Sequence, residues 1–250
     1  MISVIMSVYN GEKTIAKSIN SILNQTFTDY EFIIIDDGST DKTCKIIENF
    51  KDKRIKFFKN KKNIGLTKVL NLAISKSKYD LIARQDADDI SCKERFNLQF
   101  QEFKKDKNLV LLGSKALVRS KNKSFITKSI DNIRIKNILK YQNVFIHSSV
   151  MIKKKEFRKI NFYNEEFKVS QDYDAWLRLS LFNNYKIKII NKVLVVRNIE
   201  SSSVSLKKNF NQAYNSYIIR KKNINFLINL LLSAHQYFTN IVPIKLKFYK

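Results

Sequence analysis

Ile33-Ile34-Ile35-Asp36-Asp37-Gly38-Ser39-Thr40-Asp41 constrains the fold more than any other stretch of this 250-residue chain. A short, fully apolar run ends abruptly in carboxylates and turn formers. That is the pattern of a strand buried on both faces, delivering acids to the carboxyl edge of a parallel sheet. Ligands bind at that edge in open α/β folds. Residues Tyr79 to Asp89 repeat the design, with Leu81, Ile82 and Ala83 running into Arg84, Asp86, Asp88 and Asp89. Two such strand ends side by side predict an acidic crevice.

The flanking sequence supplies the rest of an alternating pattern. Ile2 to Val8 reads as a first strand, and Ile15, Ile19, Ile22 and Leu23 form one apolar face of a helix over Lys13–Leu23. The strand Glu31–Ile35 follows, then a helix Lys42–Phe50 that Ser39 or Thr40 is placed to cap. A strand Ile55–Phe58, a helix opening near Asn63–Thr67 and running to Ile74, and the strand Leu81–Ala83 complete the series. The chain is thus α/β, a Rossmann-like, mostly parallel central sheet with helices on both faces. Strand one, strand two and the strand before Asp86 are expected to be neighbours.

After Asp89 the pattern loosens. A helix Glu94–Phe103 and a strand Leu109–Val118 precede a lysine-studded segment with little periodicity, to about Lys140. Val144 to Ile152 reads as a buried strand carrying His147, Ser170–Leu179 as a helix, and Tyr185–Ile190 with Val193–Arg197 as a closing pair of strands. Asn225, Asn229, Ser233, Gln236 and Asn240 recur 3 or 4 residues apart in an otherwise apolar segment, which predicts an amphipathic C-terminal helical tail. The expected division is 1–205 as the main domain, with 1–118 and 119–205 as its two parts, and 206–250 as the tail.

The formal net charge is +25, and it is uneven: residues 1–100 carry 17 basic and 13 acidic side chains, 101–200 carry 22 and 9, and 201–250 carry 8 and none. The basic excess lies downstream of the acidic crevice, where it suits anionic lipid headgroups, a phosphorylated substrate or nucleic acid. Cys44 and Cys92 have no metal-binding spacing and read as reduced thiols of a cytosolic protein. Met1–Tyr9 lacks a basic leader and a cleavage site and reads as a strand.

Packing Asp86, Asp88 and Asp89 against Asp36 and Asp37 builds like-charge repulsion, which a divalent cation relieves. Oxygen-only ligands suit Mn2+ or Mg2+, and an Asp-x-Asp at a strand end leaves positions on the ion for substrate phosphates. Taken in order, SVYNGE, SILNQTF, IIIDDGSTD, NIG, ARQDADD, HSSVMI and QDYDAWLRL resemble the family-2 glycosyltransferases of bacterial polysaccharide synthesis, over roughly residues 1–200. The resemblance implies a GT-A fold, a nucleotide-sugar donor, a divalent metal and displacement with inversion at the anomeric carbon.

Carried over residue by residue, it implies that Ser7, Tyr9 and Glu12 border the nucleoside, with Asp37 accepting a base N–H and Asp36 beside it. Asp86 would hold the ribose or assist with metal, Asp88 would ligate the metal, and Lys68 and Arg84 would balance phosphate charge. Asp172 matches the general base, although Gln171 stands where the family has glutamate. Ser148 replaces a usual proline after His147, and Ile199 stands where a family histidine is expected. His147, Asp174, Trp176 and Arg178 carry two readings, acceptor contact or structural packing.

The implied acceptor is a saccharide or lipid-linked saccharide in lipopolysaccharide, capsule or O-antigen synthesis. The tail lies outside the resemblance. Its apolar face, beside Arg220, Lys221 and Lys222 and before Lys245 and Lys247, reads as an interfacial membrane anchor, with docking on the protein's own body or a dimer partner, or spanning, as the alternatives. The expected partner is therefore an anionic membrane surface rather than nucleic acid, the expected location is cytoplasmic and peripheral on the inner face of the membrane, and a homodimer is compatible with the sequence. A nucleotidyltransferase and a non-enzymatic basic membrane- or nucleic-acid-binding module are the rival readings.

Overall fold

The computed structural model describes residues 1–120, 123–199 and 209–223. At its centre β1 (Ile2–Val8) runs parallel to β2 (Tyr30–Asp36) on one side and to β4 (Leu81–Asp86) on the other, with β3 (Ile55–Lys59) parallel beyond β2. The crossovers carry α1 (Ile15–Leu23), α2 (Thr43–Glu48) and α3 (Leu66–Lys76). Every residue of β2 is buried, as a strand covered on both faces must be.

Side-chain alternation divides the core into two layers. Val4, Met6, Phe32 and Ile34 pack with Ile15, Ile19 and Ile22 of α1, while Ile5, Ile33 and Ile35 pack with Val69, Leu70, Ala73 and Ile74 of α3. The register aligns the strand ends that matter: Ser7 lies opposite Ile35 on one flank and Asp86 on the other, and Val8 lies opposite Asp36. The expected adjacency of the acidic strand ends is therefore present.

The second half of the sheet is mixed. β8 (Met151–Lys153) is antiparallel to β4 and to β6 (Leu109–Ser120), and β9 (Lys186–Ile199) is parallel to β6. β5 (Ile90–Ser91) pairs antiparallel with β9, and β7 (Lys123–Ile126) forms a hairpin with β6. The strand order is β3-β2-β1-β4-β8-β6-β9-β5. The helices of this half are α4 (Arg95–Lys105), α5 (Ile135–Leu139), α6 (Lys154–Arg158), α7 (Gln171–Ser180) and α8 (Asn209–Asn223).

Three local expectations are corrected. Val144–Ile152 is not one strand: His147–Ser149 is a 3-10 turn in which the Ser149 hydroxyl and N–H both donate to the Ile146 carbonyl, and only Met151–Lys153 is extended. The closing pair of strands is a single strand, β9, whose register with β6 shifts where Asn191 and Lys192 intervene. Asp41, not Ser39 or Thr40, serves the start of α2, its Oδ1 accepting the Thr43 N–H at 2.9 Å. The amphipathic segment expected from Asn223 to Ile244 lies outside the described residues apart from its first position. Among the described residues no helix is long and apolar enough to cross a membrane.

Candidate active site

The loops after β1 and β2 are laced together. Asn10 N–H donates to Ser39 Oγ at 2.8 Å, Gly11 N–H to Thr43 Oγ1 at 2.8 Å and Glu12 N–H to Asp41 Oδ2 at 3.1 Å, while Glu12 Oε2 accepts the Lys42 N–H at 3.0 Å. Ser7 is half-buried at the strand end, and Tyr9 stands 50% exposed at the mouth of the cleft. Glu12 therefore braces two loops against each other.

Asp36 and Asp37 are both enclosed. Asp36, fully buried, accepts the Ser39 N–H at 2.6 Å and faces the Cys44 thiol at 3.3 Å, which leaves it turned away from a donor. Asp37, 2% exposed, accepts Asn60 Nδ2 at 2.8 Å and Ile64 N–H at 3.0 Å on Oδ1, and Gly65 N–H at 2.9 Å on Oδ2. It clasps the loop between β3 and α3 against the crevice. The contact is close enough to require glycine at 38, where φ is +77° and an added methyl would lie 2.8 Å from the Lys62 carbonyl carbon. In this structure both Asp37 oxygens accept donors of the loop between β3 and α3, one side-chain amide and two backbone N–H groups. Lys68 is exposed near the start of α3.

The acidic turn after β4 is pinned from four directions. Ser18 Oγ donates to the Asp86 carbonyl at 2.9 Å, Gln85 Nε2 to the Asp89 carbonyl at 2.8 Å, and Asn198 Nδ2 to the Asp88 carbonyl at 2.8 Å. Asp89 is 2% exposed, and its two oxygens accept the Ser148 hydroxyl and, at 3.1 Å, the Asn198 N–H. Burial and the charges of Asp86 and Asp88 push its carboxyl up to about 8. Burial and Asp86 likewise push Asp88 up to about 6. Burial acts upward on Asp86 as well, but Arg84, His147, Arg197 and Arg95 outweigh it and hold that carboxyl below its ordinary range. Arg84 is buried and ion-paired with Asp86.

Asp86 and Asp88 thus offer carboxylate oxygens two residues apart, with Asp88 short of positive charge. That donor chemistry fits a hard divalent cation. Among the described residues no cluster of three His, Cys, Asp or Glu side chains is gathered as a complete metal site. Asp89 has both oxygens engaged and contributes to the turn instead.

Across the cleft, Asp172 lies half-buried in the first turn of α7. Asn143 Nδ2 donates to its Oδ2 at 2.7 Å, and among the described residues Oδ1 has no hydrogen-bond partner. His147 Nε2 lies 2.9 Å from the Tyr163 hydroxyl, and the ring packs edge-on against Trp176. Burial and Arg84 lower the His147 pKa against the pull of Asp172 and Asp86, so one imidazole feels both carboxylates. The two sides of the site are within electrostatic reach of each other.

The other candidates on α7 are structural. Trp176 is fully buried among Phe145, Phe157 and Tyr163, which excludes it as an exposed sugar platform. Asp174 is consumed by Arg178, whose Nη2 and Nε reach its Oδ2 at 2.6 and 2.8 Å and whose Nη1 and Nη2 also donate to the Ile160 and Phe162 carbonyls. Sequence reasoning missed Arg95, fully buried, which donates to Gln99 Oε1, Gln85 Oε1, Ser91 Oγ and the carbonyls of Arg84 and Val150. Burial pulls its guanidinium down to about 9 against the carboxylates Asp86 and Asp89. Its i,i+4 pairing with Gln99 on a helix was the available signal.

A sheet whose parallel strands end in an acidic turn with a buried Arg84–Asp86 pair, with Asp172 at the start of a separate helix, has the architecture of a GT-A glycosyltransferase. The pattern of the Glycosyl transferase family 2 matches residues 3–167, and the chain belongs to that family. This sets aside the nucleotidyltransferase and non-enzymatic readings. An uncharacterised glycosyltransferase of Methanocaldococcus jannaschii is 34% identical over 229 residues, 88% of this chain and 78% of the relative. An O-antigen biosynthesis glycosyltransferase of Escherichia coli is 37% identical over 185 residues, 72% of this chain and 71% of the relative.

Among solved structures, TarS of S. aureus in complex with UDP-GlcNAc superposes with a TM-score of 0.72 at 19% identity, over 95% of this chain and 72% of the other. A mannosyltransferase of Pyrobaculum calidifontis in complex with GDP-Man and Mn2+ gives 0.72 at 14% identity, over 96% and 70%. These two likenesses establish the shared fold.

Proposed function

We propose that the enzyme transfers a sugar from a nucleotide-sugar donor, UDP-linked, to an acceptor hydroxyl in cell-surface glycan synthesis, inverting the anomeric carbon, with Asp172 as general base. The observation that carries this reading is the Asp172 carboxylate, which is held by one neutral amide, has its other oxygen open, and acts on the same His147 imidazole as Asp86. The acceptor hydroxyl donates its proton to Asp172 as its oxygen attacks from the face opposite the departing diphosphate. Ser7, Tyr9 and the loop clasped by Asp37 would bound the nucleoside, and Arg84 would face the phosphates.

Asp88, with Asp86, would hold Mn2+ or Mg2+, which when bound neutralises charge developing on the diphosphate. The Mn2+ in the mannosyltransferase structure supports this reading. Screening UDP- and GDP-sugars with Mn2+ for thermal stabilisation tests the donor class, because a ligand bound only by the folded state raises the melting temperature. No stabilisation by any nucleotide sugar would overturn it.

The acceptor reading extends to a saccharide or lipid-linked saccharide presented at the inner face of the cytoplasmic membrane. Phe125, Ile126 and Ile133, the last 88% exposed, are interleaved with exposed Lys123, Lys128 and Arg134, a composition suited to anionic headgroups over an apolar boundary. Co-sedimentation with phosphatidylglycerol vesicles but not with phosphatidylcholine vesicles is the expected result. Equal recovery with both would remove the electrostatic part of the argument.

A further inference from the structure

We infer that Asn143 is a positioning residue for the general base, an assignment that rests on the reading of Asp172 given above. The Asn143 side chain has its two ends assigned by separate partners. Its Oδ1 accepts the Phe145 N–H at 3.0 Å, an Asx turn within its own loop, which leaves Nδ2 to donate to Asp172 Oδ2 at 2.7 Å. The amide can therefore present only a donor to the carboxylate.

The loop that carries Asn143 is itself fixed in the core. The Phe145 ring is buried against Trp176, 6.3 Å between centroids, and Trp176 lies one turn beyond Asp172 on α7. On its other side Phe145 occupies the space that a side chain at Gly113 would need, since a methyl there would lie 2.6 Å from Phe145 Cδ1. Gly113, Phe145 and Trp176 thus set the height of the loop, and Asn143 transmits it to Asp172.

The neighbouring acid shows why the donor is neutral. Asp174 receives an arginine and becomes a structural ion pair. A cation at Asp172 would hold the carboxylate equally well but would oppose the arrival of a proton there. An amide fixes the rotamer, occupies Oδ2 and leaves Oδ1 charged and free to receive the acceptor's proton.

Asn143→Asp separates this role from the turn, because the new side chain still accepts the Phe145 N–H but meets Asp172 as a second carboxyl, and two acids at this distance share one proton, which takes Asp172 out of its base form. The kinetic readout is nucleoside diphosphate release from UDP-GlcNAc, UDP-glucose, UDP-galactose and GDP-mannose, each with Mn2+ and with water as acceptor. The expected result is a fall in kcat of about tenfold or more, with donor KM and melting temperature close to wild type. Asn143→Ala, which loses both contacts, is expected to lose kcat and melting temperature together. The second readout needs no turnover: the Asn143 side-chain amide signal in a 15N NMR spectrum is expected to shift in Asp172→Asn.

A kcat for Asn143→Asp within twofold of wild type, or an Asn143 amide signal that ignores Asp172→Asn, overturns the assignment. Wild-type turnover by Asp172→Asn instead removes the base reading on which it rests. Loss of turnover in Asp172→Asn with a silent Asn143→Asp removes the positioning role alone.

Discussion

Asp37 follows β2 in the first half of the sheet and Asp172 opens α7 in the second, and the chain surrounds them differently. Three N–H groups close around Asp37, which is shut off from solvent, whereas Asp172 has one amide and an open flank. The first half of the sheet spends most of its carboxylates on architecture: Asp36, Asp37 and Asp41 bind loop N–H groups, and Asp89 binds Ser148 and Asn198. In the second half, Asp172 keeps one oxygen without a hydrogen-bond partner among the described residues. On the proposed reading, carboxylates that hold loops together and a carboxylate that takes the acceptor's proton are expected to fail differently when altered, the former in stability and the latter in rate.

The largest expected effect is on the acceptor side. Asp172→Asn keeps the size of the side chain and removes its basicity, so kcat is expected to fall by about a thousandfold while donor KM and melting temperature hold. A rate near wild type would end the comparison, since the open carboxylate would then have no chemical task. Asp37→Ala is the matching test on the donor side. It strands three donors, and urea unfolding is expected to show a loss of about 2–3 kcal/mol, together with weaker nucleotide binding. If nucleotide binding collapses while stability is unchanged, Asp37 touches the donor directly and the two carboxylates are less different than the structure makes them.

Gly113→Ala sharpens the contrast from within the second half. The added methyl forces Phe145 to move, at a cost of about 1–2 kcal/mol, and a reduced kcat at unchanged donor KM is expected because the loop holding Asp172 moves with it. The smallest effect concerns Glu31, a buried carboxylate that accepts Ser3 Oγ, the Lys78 N–H and Lys56 Nζ. Burial alone would raise its pKa, but Lys56, Ser3 and the Lys78 N–H outweigh it and hold the carboxyl below its ordinary range. A depressed pKa contributes stability above the ordinary value, and that contribution disappears as pH falls through the folded value. Glu31→Gln is therefore expected to cost about 1–2 kcal/mol at pH 7, with the gap to wild type closing toward pH 3 in urea titrations.

The sequence exposed what has a short period. Apolar runs ending in acids located β2 and β4, and the apolar face of α1 located the helix between β1 and β2, because burial on a sheet writes itself into adjacent residues. Asp86 and Asp88 were visible as candidates for the same reason, sitting where β4 meets a turn, whereas Asp172 was singled out only by the family resemblance of the QDYDAW segment. Contacts that join distant segments left no such mark. Arg95 looks like one more lysine-rich-surface cation, and only the fold reveals five acceptors around it. Asn143 looks like a loop residue until α7 brings Asp172 to it. The break in β9 at Asn191-Lys192 imitates a hairpin turn, although both flanks continue along β6.

Asn198 lies 110 positions after the Asp88 carbonyl that it binds and 109 after the Asp89 carboxylate that receives its N–H. That separation has a consequence for biosynthesis. A nascent chain that has emerged as far as β6 already has β1 to β4, yet its acidic turn still lacks both Asn198 contacts and the Ser148 hydroxyl. Contacts of such long range form late, after the loop-closure entropy between them has been overcome. The chain therefore completes its acidic turn only when Asn198 of β9, more than 100 residues beyond that turn, has been synthesised, which makes the closure of the turn one of the last steps in assembling the sheet.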